Sequence, residues 1–306
     1  TYSRNPLLAA TLTAEFRMNK VVMPSLRGRF PAAEGGVRGF TLIELLVVIG
    51  LIVILAGLLL PALAGARSPG QAVACLNNHR QLAMACLLYV ADFNDTFPYN
   101  LGASEIRQAA AQNHFYNWTT PVMSWELDSD NTNSALLTRG GIGPYTGPSA
   151  ALYRCPADRA LSDLQRQAGW RERVRSLSMN AMVGNAGQFS ESGANSNNPH
   201  YRQFFRLTQV PRPATIFVFI EEHPDSINDG YFLNHFYSRR WTDLPAAWHQ
   251  GAANLAFADG HVERRRWLAA STRPPHQPDA ARLPFPIPEG QTEDFDWLMQ
   301  HTSIKP

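Results

Sequence analysis

A run from Phe40 to Leu60 constrains this chain more than any other feature: across 21 residues its sole ionisable side chain is Glu44. A helix needs about 20 apolar residues to cross the hydrocarbon core of a bilayer, so the run meets the length rule for a span. Glu44 is the anomaly. A carboxylate costs roughly 2.5–3.5 kcal/mol at mid-bilayer on insertion scales and less near an end, and such residues usually mark a partner or a function.

Two accounts of the run compete, and both begin at the basic flank ending in Arg38. In the first it is a secretory signal, with a positive region, an apolar region and the small-residue site Ala62-Leu63-Ala64 before Gly65. Glu44 then has no role. In the second, a peptidase cuts between Gly39 and Phe40 on the cytoplasmic side and leaves the helix as the new N-terminus. The new α-amino group stands one turn before Glu44, because residues i and i+4 share a helix face. An ammonium beside the carboxylate explains the charge.

The stretch Gly39-Phe40-Thr41-Leu42-Ile43-Glu44, followed by unbroken apolar residues and Pro61, resembles the cleavage and methylation segment of type IV prepilins and type II secretion pseudopilins. The resemblance implies a prepilin peptidase that cuts after Gly39 and methylates Phe40. It gives Glu44 a part in subunit addition, through a pair with the terminus of an adjacent subunit. The partners implied are the peptidase, other pilin-like subunits and the inner membrane.

The first 39 residues carry Arg4, Arg17, Lys20, Arg27, Arg29 and Arg38 against Glu15 and Glu34, and positive flanks stay cytoplasmic. The chain opens on Thr1, and Met18 or Met23 would give a leader of more usual length. Removing the leader takes the formal charge from +2 to −2, which removes any global basic argument for nucleic-acid binding. The expected organisation is a leader at 1–39, a membrane helix at 40–60, a soluble helix at 61–98 and an exported domain at 99–306. The C-terminal part is expected in the periplasm or at the cell exterior.

Beyond the membrane run, Val73, Leu76, Leu82, Met84, Leu87, Leu88 and Val90 recur at spacings near three and four, predicting an amphipathic helix laid on a sheet. Pro61 and Ser68-Pro69-Gly70 predict a bend or short interruption before it. Cys75 and Cys86 are separated by about 16 Å along such a helix, beyond disulfide reach. An oxidising compartment therefore favours Cys75–Cys155, with Cys86 a small buried hydrophobe; three unpaired thiols are the alternative. No C-x-x-C pair is present, which argues against a cysteine metal site.

Residues 99–150 predict loops with short helices or strands, 160–173 a short polar helix, and 186–199 an exposed loop. The run "VRSLSMNAMVGN" predicts a strand, and Gln291–Gln300 a final short helix. "TIFVFIEE" predicts a central strand, and "NLAFADGHVERRRW" a hairpin turning at Asp259-Gly260. Arg264, Arg265 and Arg266 fit a solvated edge strand that resists stray pairing.

The hairpin carries a second resemblance. His249, nine residues, then Asp259-Gly260 is the H-X9-DG pattern of prepilin-like proteins abundant in planctomycete and verrucomicrobial lineages, relatives of the domain-of-unknown-function 1559 proteins. "CLNNHRQLAMA", "YRCPAD", "SLSMN" and "EEHPDSINDG" are similar to that family too. The resemblance implies an α+β, pilin-like fold, with a long N-terminal helix packed on a C-terminal antiparallel sheet. It implies no enzymatic activity. His249, Asp259 and His261 form a legitimate zinc or acid–base set, yet no nucleophile motif accompanies them, and a structural hairpin role is the expectation. Glu221, Glu222, Asp225, Asn228 and Asp229 place hard oxygens in one short loop and are candidate calcium ligands, a role that the resemblance to major pseudopilins favours. The expected function is a structural subunit of a pilus-like or secretion-like filament; the alternative is an exported surface or binding protein that uses the segment only for sorting.

Overall fold

The computed structural model describes residues 40–278 and 282–306, the side chains of 58–68 excepted. The leader and Gly39 lie outside the described residues. The described residues fall into two units, 40–55 and 56–306.

Helix α1 (Leu42–Asp92) is assigned as helix throughout, so the interruption expected at Pro61 or Pro69-Gly70 is absent. A proline removes one amide donor, and good helix formers on either side can carry the helix past it. Among the described residues no helix is long and apolar enough to cross a membrane; the expected span, 40–60, includes residues whose side chains lie outside the description.

In the larger unit α1 buries Ala72, Cys75, His79, Leu82, Cys86 and Val90, a stripe at spacings of three and four. Val73, Met84 and Leu88, expected on that face, are exposed. Leu82, Ala83, Cys86, Tyr89 and Val90 share one core with Leu177, Met179, Val218, Phe219 and Ala256. The latter belong to β1 (Leu177–Asn180), β2 (Phe217–Glu221) and the strand hairpin that ends the sheet. Positive φ at Asn94 and Asp95 turns the chain out of the helix.

Between α1 and β1 lie α2 (Ala103–Ala111), α3 (Ala135–Thr138), α4 (Gly143–Thr146) and α5 (Asp163–Gln167), the last opened by a Ser162–Gln165 capping box. After β2 come β3 (Tyr231–Phe232), β4 (Arg240–Trp241), β5 (Ala252–Phe257), β6 (Val262–Arg266), β7 (Phe285–Pro286) and α6 (Glu293–Gln300). The main sheet has the order β3-β1-β2-β5-β6, and β4 pairs with β7 separately. It is mixed rather than wholly antiparallel, because β3 runs parallel to β1. A register shift between Phe217 and Phe219 lets β2 supply Val218 and Phe219 to the α1 core, while Phe217 and Ile220 join Trp241, Trp267, Phe295 and Leu298 in a second one. β6 forms an edge, as its arginines suggest, and Arg265 stacks over Trp297 at 4.4 Å.

The segment 186–199 is not an exposed loop throughout. Asn195 and Asn198 are buried, and Asn195 Nδ2 stands within hydrogen-bond distance of Ala181 O, Gln203 Oε1 and Tyr231 Oη. Their amides satisfy backbone that the short strands leave unpaired.

Arg175, wholly buried beside β1, donates to the carbonyls of Leu177, Pro121, Asn228 and Asp229 and to Ser178 Oγ. Burial raises the Asp243 carboxyl well above its ordinary 3.8; Glu222 and Asp229 add to this, opposed by the hydrogen bond from the Leu233 amide. A carboxyl raised in the fold contributes stability fully present below pH 3.8 and lost as pH rises towards the folded value. As pH rises from about 4 towards that value, wild-type protein should therefore lose unfolding free energy relative to Asp243→Asn, read by denaturant titration at several pH values; a difference between the two that stays constant with pH would contradict this.

Candidate functional site

The helix start explains part of the sequence signal at Glu44. Thr41 precedes Leu42 as the N-cap: its Oγ1 accepts from Glu44 N at 3.2 Å, while Glu44 Oε2 accepts from Thr41 N and from Thr41 Oγ1, each at 2.8 Å. This is a reciprocal capping box, satisfying two amides that a helix N-terminus leaves free. Thr-x-x-Glu carries that signal in the sequence, and pairing Glu44 only with a distant or new charge misses it. The carboxylate points back to the helix start, beside the expected terminus at Phe40.

A second constellation is assembled from four distant segments. Cys75 stands on the buried stripe of α1, Cys155 in the turn after a short 3-10 helix at Ala150–Tyr153, Glu221 at the end of β2, and His249 in the turn before β5. All four are buried, and their Sγ, Sγ, carboxylate oxygen and ring nitrogen lie within 4.8 Å of one another. Cys75 Sγ donates to Glu221 Oε1 at 2.7 Å; His249 Nε2 sits 2.9 Å from the same oxygen and 3.3 Å from Cys155 Sγ. Glu221 Oε2 is held apart, accepting Asn254 N–H at 2.6 Å. The Ala157 amide donates to Cys155 Sγ at 3.4 Å. His79, one turn beyond Cys75 and wholly buried, is 3.8 Å from its sulfur.

Burial opposes the charge on Glu221, but the His249 bond and the nearby imidazoles hold the carboxyl below its ordinary value. Burial also opposes the imidazolium of His249, and the contacts with Cys155 and Glu221 outweigh it, raising the ring to about 10. Burial, then Cys155 and Glu221, push the Cys75 thiol well up. Glu221 and His249 thus form a buried ion pair flanked by two sulfurs. Cys75 and Cys155, the expected disulfide partners, meet here as unbonded thiols, and Cys86 is buried in the α1 core.

The candidate calcium residues disperse. Glu221 enters the cluster; Glu222 lies towards Arg175, with burial raising it to about 8; Asp225 accepts Gln277 N–H; Asp229 accepts the amides of Ala103 and Tyr231; and Asn228 Oδ1 accepts Asp229 N–H. Among the described residues their side chains form no group of ligands. Consecutive strand residues face opposite sides, which parts Glu221 from Glu222.

The H-X9-DG residues are parted too. His249 belongs to the cluster, whereas Asp259 at the hairpin tip bonds His261 at 2.6 Å. Gly260 adopts φ +90°, and a Cβ there would approach Leu87 Cδ1 of α1 to 2.9 Å. The motif therefore fixes β5 at both ends against the helix: by His249 through the cluster, and by the tip against Leu87.

Residues 36–60 match the prokaryotic N-terminal methylation motif. The match implies membrane-targeted export and processing by a prepilin peptidase, as in type IV pilin-like proteins. A search of curated proteins and one of solved structures found no match.

Gly260→Ala should cost about 1–2 kcal/mol, since a left-handed turn is unfavourable for any residue with a Cβ and Leu87 must move. The comparison is of denaturant midpoints for the two proteins.

Proposed function

We propose that this chain is a non-enzymatic pilin-like subunit, cut after Gly39 and methylated at Phe40, that assembles into a type IV pilus-like or type II secretion-like filament. The observation that carries the proposal is the methylation motif at residues 36–60, with Glu44 held by Thr41 at the helix start.

Phe40, Leu42, Ile43 and Val53 are each about 70% exposed in the single chain, an apolar surface that lipid or neighbouring helices must cover. Burial among packed N-terminal helices offsets the cost of leaving lipid when a subunit is drawn out of the membrane. A methylated ammonium of a neighbouring subunit then pairs with Glu44 in a low dielectric, where an uncompensated carboxylate is costly. That pair selects register. The sheet domain is exported and decorates the helical core.

N-terminal sequencing with intact mass on protein from source membranes should give Phe40 carrying one methyl group; a terminus at Gly65 would overturn the proposal. Glu44→Gln separates capping from charge, because the amide oxygen still accepts from Thr41. Both Glu44→Gln and Glu44→Ala should insert into the membrane and lose filament incorporation at least about tenfold, the equivalent of ~1.4 kcal/mol. Incorporation of Glu44→Gln at the wild-type level would confine Glu44 to capping and contradict the charge-selected assembly.

A further inference from the structure

We infer that Cys75, Cys155, Glu221 and His249 form a structural zinc site that fastens α1 to the sheet domain. The four donors are two sulfurs, one imidazole nitrogen and one carboxylate oxygen, a set suited to a borderline-soft, tetrahedral ion. Each belongs to a different segment of the chain, which is why ligand spacing in the sequence does not reveal them.

The geometry distinguishes a ligand shell from ordinary core polarity. Glu221 Oε1 meets both Cys75 Sγ (2.7 Å) and His249 Nε2 (2.9 Å), and the same nitrogen meets Cys155 Sγ (3.3 Å). A ring nitrogen has one proton or one lone pair to offer along that direction, so these contacts converge on a shared point rather than form separate optimal bonds. With metal–ligand lengths of about 2.0–2.3 Å, tetrahedral neighbours stand roughly 3.3–3.8 Å apart; these three contacts reach that spacing by opening about 1 Å or less, and the other donor pairs, all within 4.8 Å, reach it by shifts of about 1 Å. Loading releases the two thiol protons, with the proton on His249, and leaves two thiolates, a carboxylate and a neutral imidazole around the dication.

The surroundings are arranged for this. Asn254 N–H holds Glu221 Oε2, aiming Oε1 into the cluster as a monodentate ligand. Ala157 N–H points at Cys155 Sγ and stabilises a thiolate there. All four residues are at most 4% exposed, so no fifth position opens to solvent; the site is closed, as structural zinc sites are and catalytic ones are not. A Cys75–Cys155 disulfide would consume both sulfurs and leave the buried pair of Glu221 and His249 without its sulfur partners.

The test uses the full chain, extracted in detergent without chelator or added metal. Elemental analysis should find about one zinc per chain, and all three cysteines should titrate as free thiols once the protein is denatured with a chelator. Cys75→Ser, Cys155→Ser and His249→Ala should each retain under about a tenth of the zinc, and Cys86→Ala should retain it all. His249→Cys keeps four ligands; loaded with cobalt(II), it should show stronger thiolate-to-cobalt absorption than cobalt-loaded wild type. Wild-type protein holding no zinc, whether its thiols are free or Cys75 is bonded to Cys155 in non-reducing peptide maps, would overturn the inference. So would stoichiometric zinc in Cys75→Ser.

Discussion

The fold depends on a carboxylate buried where none could stand alone. Glu221 ends the central strand β2 with no solvent contact, and its two oxygens bind in different directions: to Cys75 on α1 and His249 before β5, and to the amide of Asn254 within β5. An isolated buried carboxylate costs several kcal/mol, so each of these partners is required by the others. One side chain thereby joins the helix, the central strand and the strand beside it. The hydrophobic contact of Leu82, Cys86 and Val90 with Phe219 supplies area, while the polar cluster supplies position.

The two parts of α1 present different surfaces. The N-terminal part of α1 carries an apolar surface with a capped carboxylate at its start; the later part carries a narrow stripe, from Ala72 to Val90, that is buried in the sheet domain. A force applied through the later part would reach the sheet at Cys75 and at the hairpin tip beneath Leu87. Leu87 faces Gly260 at the hairpin tip, and Cys75 reaches His249 through the shared Glu221 Oε1.

Much of this is legible in the residues, for identifiable reasons. The apolar run with its single carboxylate is local, and the hairpin follows from alternation and a turn pair. Helix rise excludes Cys75–Cys86 and leaves Cys155 open to either partner; in the fold Cys75 and Cys155 share one cluster as free thiols rather than as the expected disulfide. Glu221 is misassigned when "EEHPDSINDG" is taken as one oxygen-rich loop, because its first residue ends a strand whose side chains alternate between faces. The parallel pairing of β3 rests on two residues and leaves no periodic signature. Asn195 and Asn198 look like loop composition, and their burial follows only from the backbone around Ala181 and Asn234 that they satisfy. On the buried stripe of α1, His79 and Cys75 carry less weight in a hydropathy pattern than larger apolar residues, several of which face outwards.

A double-mutant cycle between Cys75→Ala and His249→Ala measures most directly whether the helix is held through this cluster. The two residues share Glu221 and lie on different elements, so their effects on unfolding free energy should be coupled by more than about 1 kcal/mol. Additivity within about 0.5 kcal/mol would mean that α1 and the sheet are joined by apolar packing alone, with the buried charge balanced independently on each side.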